Sequence, residues 1–295
     1  MTYTIGIDLG GSSIKGVAVT ASGETLSRKR TDFAEDEAME WAKKIRLQLD
    51  ELQRERGTPA ASVGLSAPGL AAADTRSIAY LPGKLHGLEG LNWTEHLRTP
   101  QPVPVLNDAH AALLGESWLG AAKGFQHVVM LTLGTGVGGA ALVDGKLLRG
   151  RIGRGGHFGH ASLDPNGAPT ICGAPGGLEV AIGNCTIRER SHGRFATTHD
   201  LIAAHLAGDT DATCVWLKSV KALACAICSF INIIDPEIVV IGGGIARAGK
   251  ALFDPLQRFL DPIEWRPGGS QAKILPAQLG EFAGAYGAAF NALHG

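Results

Sequence analysis

Apolar residues recur along this chain with two periods, and the strand-like period appears twice in the same setting. At 5–19 the sequence IGIDLGGSSIKGVAV reads as an apolar strand, a glycine-rich turn and a second apolar strand; VMLTLGTGVGGAALV at 129–143 repeats it. A third strand is predicted from Glu24. Between 35 and 54, Ala38, Trp41, Ala42, Ile45, Leu49 and Leu52 fall at helical spacing, which predicts an amphipathic helix with one face on the sheet. Val63 to Ala67 reads as another strand, ending in Pro68-Gly69. After a stretch rich in Gly and Pro at 81–104, a short strand at 103–106 leads into a helix at 109–119. The second half follows the same logic, with strands from Val128 and Val137, an irregular stretch at 150–176, and helices through Ile234. A buried strand at 237–241 then enters Gly242-Gly243-Gly244, with a helix after it. The closing helix, 282–293, is rich in small residues, and Ala283, Gly284, Gly287 and Ala288 permit close helix contact.

Size and composition narrow the class. A chain of 295 residues has room for two domains and a sizeable core. An apolar fraction of 45% with 41 glycines fits a globular α/β protein with many tight turns. The formal net charge of −1 predicts no general affinity for nucleic acid or acidic membranes, so small solutes are the expected partners. Neither a signal-peptide pattern nor an apolar run long enough to span a bilayer is read from the sequence, which points to the cytoplasm. The five cysteines, Cys172, Cys185, Cys214, Cys225 and Cys228, are an odd number in a large domain, and reduced thiols are expected. Cys225 and Cys228 form a Cys-x-x-Cys, but within an apolar run, 220–234, that reads as a buried helix; a core role is preferred there to a redox one.

The repeated hairpins suggest chemistry. Glycines in such turns let the backbone take positive φ and approach a ligand, so that consecutive N–H groups converge on phosphate oxygens. One Gly-rich hairpin is commonplace. Two of them, carrying Asp8, Ser12, Lys15 and Thr135, suggest a grip on two parts of one polyphosphate. Asp8 ends an apolar strand, where a carboxylate can reach a cation, and Lys15 adds a point charge, a pairing that suits magnesium and phosphate. The Gly-x-x-x-x-Gly-Lys-Ser/Thr loop is absent, and a strand stands where a dinucleotide fingerprint needs a helix. The turn at Gly242 to Gly244 reads equally as a nucleotide-facing edge or as a tight strand-to-helix connection. Asn107-Asp108, between a strand and a helix, is either a helix cap or the site of a general base. Beside two phosphate hairpins the base reading is preferred, and one residue can do both.

At these residues the chain resembles the ROK family of sugar kinases and related repressors, within the actin-like ATPase superfamily. The resemblance spans nearly the whole length: Asp8-Leu9-Gly10-Gly11-Ser12 with Lys15-Gly16, Pro68-Gly69, Asn107-Asp108, the run from Leu133 to Gly139, Gly159-His160, Cys172-Gly173, Leu178-Glu179 and the Gly242 to Gly244 turn. It implies an α/β, two-lobed actin-like ATPase (ribonuclease H-like) fold with an internal duplication. Residues 1–108 would form the smaller lobe, with the helix at about 282–295 packing back on it, and 109–281 the larger lobe. It also implies ATP and Mg2+, the latter ordered by Asp8 through water. Gly10, Gly11, Ser12, Lys15, Gly134, Thr135 and Gly136 would hold phosphates, and Gly243 and Gly244 would border the nucleotide. Asp108 would be the base; Asn107, His160 and Glu179 would join it in holding sugar hydroxyls. A homodimer is implied as well.

The departures from the family pattern are specific. Where family kinases carry Gly-Glu-x-Gly-His, this chain has Gly156-His157-Phe158-Gly159-His160, so His157 replaces a sugar-binding Glu and a possible donor replaces an acceptor. The family's zinc loop, Cys-x-Cys-Gly-x-x-Gly-Cys-x-Glu, here has Thr170, Cys172 and Gly177 at its cysteine positions. His160 and Cys172 alone cannot complete four ligands, so structural zinc is not expected. The region 81–93 lacks a clear sugar-contacting Asn; Asn92 reads as a turn residue, and Lys84 and His86 as members of a solvated loop.

These residues support an ATP-dependent kinase for a hexose or hexose-like hydroxyl. A sugar-responsive repressor would carry a winged helix-turn-helix ahead of the Asp8 strand, and only seven residues precede Asp8. A catalytically weak sugar-binding or regulatory member is the alternative that His157 and the altered loop keep open.

Overall fold

The computed structural model describes residues 2–34 and 39–295. The chain divides into two compact units, one made of 1–124, 147–155 and 278–295, the other of 125–146 and 156–277. In the first unit the elements are β1 (Thr4–Leu9), β2 (Ser13–Val19), β3 (Thr25–Asp32), α1 (Glu40–Arg56), β4 (Ser62–Ala67), β5 (Leu70–Ala71), β6 (Ile78–Tyr80), α2 (Trp93–Leu97), β7 (Val105–Asn107) and α3 (Asp108–Leu119). The second holds β8 (Val128–Leu133), β9 (Val137–Val143), the first residue of β10 (Lys146–Leu147), α4 (Leu178–Ile182), α5 (Ile187–Arg190), α6 (Thr198–Leu206), α7 (Thr210–Ile234), β11 (Ile238–Gly242), α8 (Lys250–Leu260) and β12 (Lys273–Pro276), before α9 (Ala283–His294) returns to the first.

The two main sheets share one topology. The first has the order β3-β2-β1-β4-β7, with β1 antiparallel to β2 and parallel to β4. The second has the order β10-β9-β8-β11-β12, with β8 antiparallel to β9 and parallel to β11. Each sheet therefore contains the apolar hairpin, a parallel strand beside its first member, and a further parallel strand. This is the duplication that the repeated sequence predicts.

In the first unit, α1 buries Trp41, Ala42, Ile45, Leu49 and Leu52 and ends at Gly57, whose φ of 69° forms a left-handed cap. The predicted start of this helix, 35–38, lies outside the described residues. Buried Gln48 donates to the Thr31 hydroxyl (3.1 Å). On the sheet, α9 comes so close that a Cβ at Gly6 would lie 1.9 Å from Ala285 O, and one at Gly64 2.0 Å from Ala288 O. Only glycine fits at either position. α3 packs on α9 and groups with the first unit, beyond the boundary at 108 drawn from sequence.

α7 buries Trp216, Val220, Leu223, Ala224, Ile227 and Phe230. Two sequence expectations change here. The helix is 25 residues long with a window of mean hydropathy 1.7, so by length and composition the chain does hold a run able to cross a membrane; half of that window is buried inside the protein, as in a core helix. Its Cys-x-x-Cys is not in the core. Cys225 is exposed and Cys228 half-buried, its Sγ donating to Ile263 O (3.2 Å), because both fall off the stripe set by Trp216, Val220, Leu223 and Ile227. Burial pushes the Cys228 thiol pKa up, with Cys225 and Glu264 adding to the rise.

Candidate functional site

In the first unit the end of β1, the start of β2 and the β7–α3 junction gather the predicted residues. The antiparallel register sets Asp8 opposite Lys15, and the parallel register sets it beside Ser66 on β4. The Ser66 hydroxyl donates to Asp8 Oδ1 (2.6 Å). Ser66 is fully buried and was missed from sequence, although a serine inside the apolar run SVGLSA is the sort of buried polar group that needs a partner. Against Asp8 also stands Gly284, in the first turn of α9, where a Cβ would come within 2.7 Å of the carboxylate. Burial pushes the Asp8 pKa up to about 6, against the Ser66 hydrogen bond and Lys15, which lower it; Asp108 adds to the rise.

Asn107 caps α3. Its Oδ1 accepts from Ala109 N (3.0 Å) and His110 N (3.2 Å), while Nδ2 donates to Gly69 O (2.9 Å) and so ties the cap to the Pro68-Gly69 turn. Asp108 is the first residue of α3, and Ala109 N donates to its Oδ1 (2.7 Å). From sequence the base reading of this pair was preferred to the cap; the structure gives the cap to Asn107 and leaves Asp108 exposed to solvent. Crowding by surrounding protein raises the Asp108 pKa, opposed first by the Ala109 hydrogen bond and then by Asn107. Its remaining access to water moderates that rise.

Beside them, Gly10 N donates to Ser13 O (2.9 Å), and Phe33 N to Ser12 O (3.0 Å), which fixes the turn. Gly11 faces open space. The expectation of positive φ does not hold in these turns. Gly10, Gly11, Gly134 and Gly136 all lie outside the left-handed region, so their small size matters for access rather than for backbone twist.

In the second unit the turn from Gly134 to Gly136 is tied down by Asn184 N to Gly134 O (3.0 Å) and Cys185 N to Thr135 O (2.8 Å), with Thr135 exposed. Gly243 does take positive φ, 88°, and a Cβ there would lie 2.3 Å from Leu133 O, so the Gly242 to Gly244 turn presses on the end of β8 just before Gly134. This brings Gly243 to the residue before the Gly134 turn, while Gly244 faces open space. The α-helix does not follow directly. A 3-10 turn, Ile245–Ala248, and Gly249 intervene before α8, so no α-helix N-terminus sits at the triplet.

Glu179, in the first turn of α4, is buried; its Oε2 accepts from Val137 N (3.4 Å) and its Oε1 lies 3.7 Å from His160 Nδ1. His157 immediately precedes the 3-10 turn Phe158–His160. The sugar candidates His157, His160 and Glu179 thus share one unit, while Asn107 and Asp108 belong to the other. The altered loop closes through its own backbone: Thr170 N donates to Ala174 O (2.8 Å) and Leu163 N to Gly176 O (2.9 Å). Buried Thr170 packs its methyl against Gly177, two of the family's cysteine positions in mutual contact. Cys172 is exposed. Asn92 caps α2, accepting from Thr94 N (3.1 Å), and Lys84 and His86 are solvated.

Paired sheets of one topology, each with a glycine-rich hairpin and with carboxylates at the strand ends of the first, define an actin-like ATPase fold. A model of the ROK family matches residues 4–294, and the chain belongs to that family. It is 34% identical to a glucokinase of Thermotoga maritima, over 97% of this chain and 95% of that protein. Among solved structures, the ROK hexokinase of Thermus thermophilus matches with TM-score 0.84 and 29% identity, covering 99% of this chain and 98% of the other. A ROK family glucokinase of Streptomyces griseus, solved with glucose and AMPPNP, matches with TM-score 0.82 and 28% identity, covering 99% of this chain and all of the other.

Proposed function

We propose that this ATP-dependent sugar kinase phosphorylates a hydroxyl of a hexose or hexose-like sugar with Asp108 as general base. The observation that carries the reading is the Asp108 carboxylate, held at the start of α3 yet open to solvent, with its pKa raised and Asp8 near enough to act on the same charge balance. The ionised carboxylate takes the hydroxyl proton as the oxygen attacks the γ-phosphorus, and the bond to the β-phosphate oxygen breaks to release ADP. Lys15 and the backbone N–H groups of Gly10, Gly11, Ser12, Gly134, Thr135 and Gly136 receive phosphate oxygens, and Gly243 and Gly244 border the nucleotide.

The carboxylate pair fits a hard cation, because Asp108 raises the pKa of Asp8 and a divalent ion would relieve that repulsion. Asp8 would hold Mg2+ through water, and the ion when bound neutralises phosphate charge. On the sugar, the Asn107 amide, fixed by Gly69 O and by the first N–H groups of α3, stands beside Asp108 as a further contact for a sugar hydroxyl. His157, His160 and Glu179 take further hydroxyls, with Glu179 Oε1 as the acceptor. The glucokinases of Thermotoga maritima and Streptomyces griseus support a hexose as substrate. A cytoplasmic homodimer is proposed as well.

His157 in place of the family Glu favours one other reading, a catalytically weak sugar-binding or regulatory member. A coupled ADP-release screen with Mg-ATP over hexoses, amino sugars and their N-acetyl forms decides between them. Turnover with one of these sugars supports the kinase; sugar binding without ADP release from any of them leaves the weak binder.

A further inference from the structure

α3 carries two buried polar side chains that the proposed chemistry leaves unused. Glu116 is fully buried and accepts three backbone N–H bonds: Oε1 from Gln278 (2.9 Å) and Leu279 (2.8 Å), Oε2 from Ala121 (2.7 Å). His110, also buried, donates from Nε2 to Gly155 O (2.8 Å), since a carbonyl only accepts. These partners are not scattered. The chain passes between the two compact units after Gly124, after Lys146, after Gly155 and before Gln278, and the two side chains tie down the first-unit side of three of those four passages.

The second-unit side of the same three passages is held as well. Past Gly124, Gln126 N (2.7 Å) and His127 N (3.0 Å) donate to Glu237. Ala277 N donates to Ile241 O (3.0 Å), one residue before Gln278 bonds to Glu116. Gly155 is held by His110, and Gly156, with φ of 85°, lies against Ala140. Backbone freedom is thereby confined to a few residues at each passage, with a positive-φ glycine at two of them, Gly124 and Gly156. Short segments bounded by fixed hydrogen bonds are where a chain absorbs the φ/ψ change of a hinge.

We propose that Glu116 and His110 are positioning residues for phosphoryl transfer, fixing three chain passages to the helix that begins with Asp108. The proposal rests on the reading of Asp108 as the base. A carboxylate suits the post because both its oxygens accept, whereas a glutamine at 116 must turn its amide hydrogens toward one set of the N–H donors.

The test uses the full chain as Glu116→Gln, His110→Ala and His110→Gln, the last keeping an N–H donor near Nε2. With glucose and Mg-ATP, well below the Tm of each variant, we expect kcat to fall about tenfold or more in Glu116→Gln and His110→Ala. The Kd for MgADP should stay within about twofold, and His110→Gln should recover most of the kcat. Hydrogen exchange should quicken at Ala121, Gln278 and Leu279 in the first variant, and at 155–158 in the second. Unchanged kcat with a lowered Tm would overturn the proposal, as would a loss of MgADP affinity that matches the loss of kcat. If Glu116→Gln does not fold, the His110 pair carries the test. Asp108→Asn measured alongside separates the two ideas: full turnover in that variant removes the base, while the effect of Glu116 and His110 on kcat still decides their role. Should the wild type turn over no sugar, the kinase reading fails, and the exchange pattern alone decides whether these residues anchor the passages.

Discussion

Replacing Asp8 with asparagine is expected to stabilise the protein at pH 8 while it abolishes phosphoryl transfer. Its carboxyl group has a pKa of about 6 in the folded protein, against an ordinary value of 3.8, with burial as the first cause. Between those two values the folded state holds a proton that the unfolded chain has released, so the stability this proton supplies is complete below about pH 4 and is lost as pH rises through 6. A gap of about two pH units corresponds to about 3 kcal/mol as an upper bound. Partial exposure of the side chain and loss of a negative charge near the first turn of α9 reduce this to roughly 1–2 kcal/mol. Asparagine keeps the oxygen that accepts from Ser66. Asp8→Asn should therefore melt about 2–5 °C above the wild type at pH 8, and level with it or below it at pH 4.5. Calorimetry at pH 4.5, 6 and 8 without nucleotide or divalent metal gives the comparison. A difference in Tm that does not grow with pH refutes the reasoning, because a packing effect of the amide would not follow the titration.

Three further outcomes are expected. Asp108→Asn should lose on the order of 10²-fold or more in kcat with sugar binding largely intact; near-full kcat would leave Asp108 as a helix-start residue alone. The purified protein should hold no stoichiometric zinc and keep its Tm in strong chelators, since Thr170 and Gly177 occupy cysteine positions; elemental analysis finding about one zinc per chain would reverse this. His157→Glu should change the order of kcat/KM among hexoses by roughly 1–3 kcal/mol for the best-matched hydroxyl. A lowered Tm with an unchanged order would place His157 in the loop's structure and outside sugar recognition.

Much of the fold was legible because its signals are local. The two hairpins, α1 from Trp41 onward, β4 and β11 each announce themselves by period, and a repeated hairpin with one set of turn residues predicts a repeated sheet. Asp8 and Asp108 were legible for a related reason, since each stands at the end of an apolar strand. What stayed hidden depends on packing between segments distant in sequence. Ser66 is brought to Asp8 only by the parallel register of β4 on β1. Glu116 looks like one more polar residue in an apolar helix until Gln278 and Leu279 arrive 162 and 163 residues later. Cys225 and Cys228 were misplaced because an apolar run shows that a helix has a buried side, and only the phase set by Trp216 and Leu223 shows which side that is. The 3-10 turn after Gly244 gives no periodic signal at all.

The closeness of α9 to β1 and β4 also bears on how the molecule is made. The second unit has all of its residues by Ala277; the first does not. Its first 124 residues emerge early, but the face of β1 and β4 bearing Gly6 and Gly64 has no cover until Ala285 and Ala288 are released, after the whole second unit. For most of its synthesis the N-terminal sheet presents an apolar surface shaped for a helix that does not yet exist, a state open to misassembly and to chaperones. Asp8 lies at the edge of that surface, against Gly284. The surroundings of Asp8 are thus completed only when α9 docks, and a nascent chain holds both glycine-rich turns before it holds the wall that Gly284 forms beside that carboxylate.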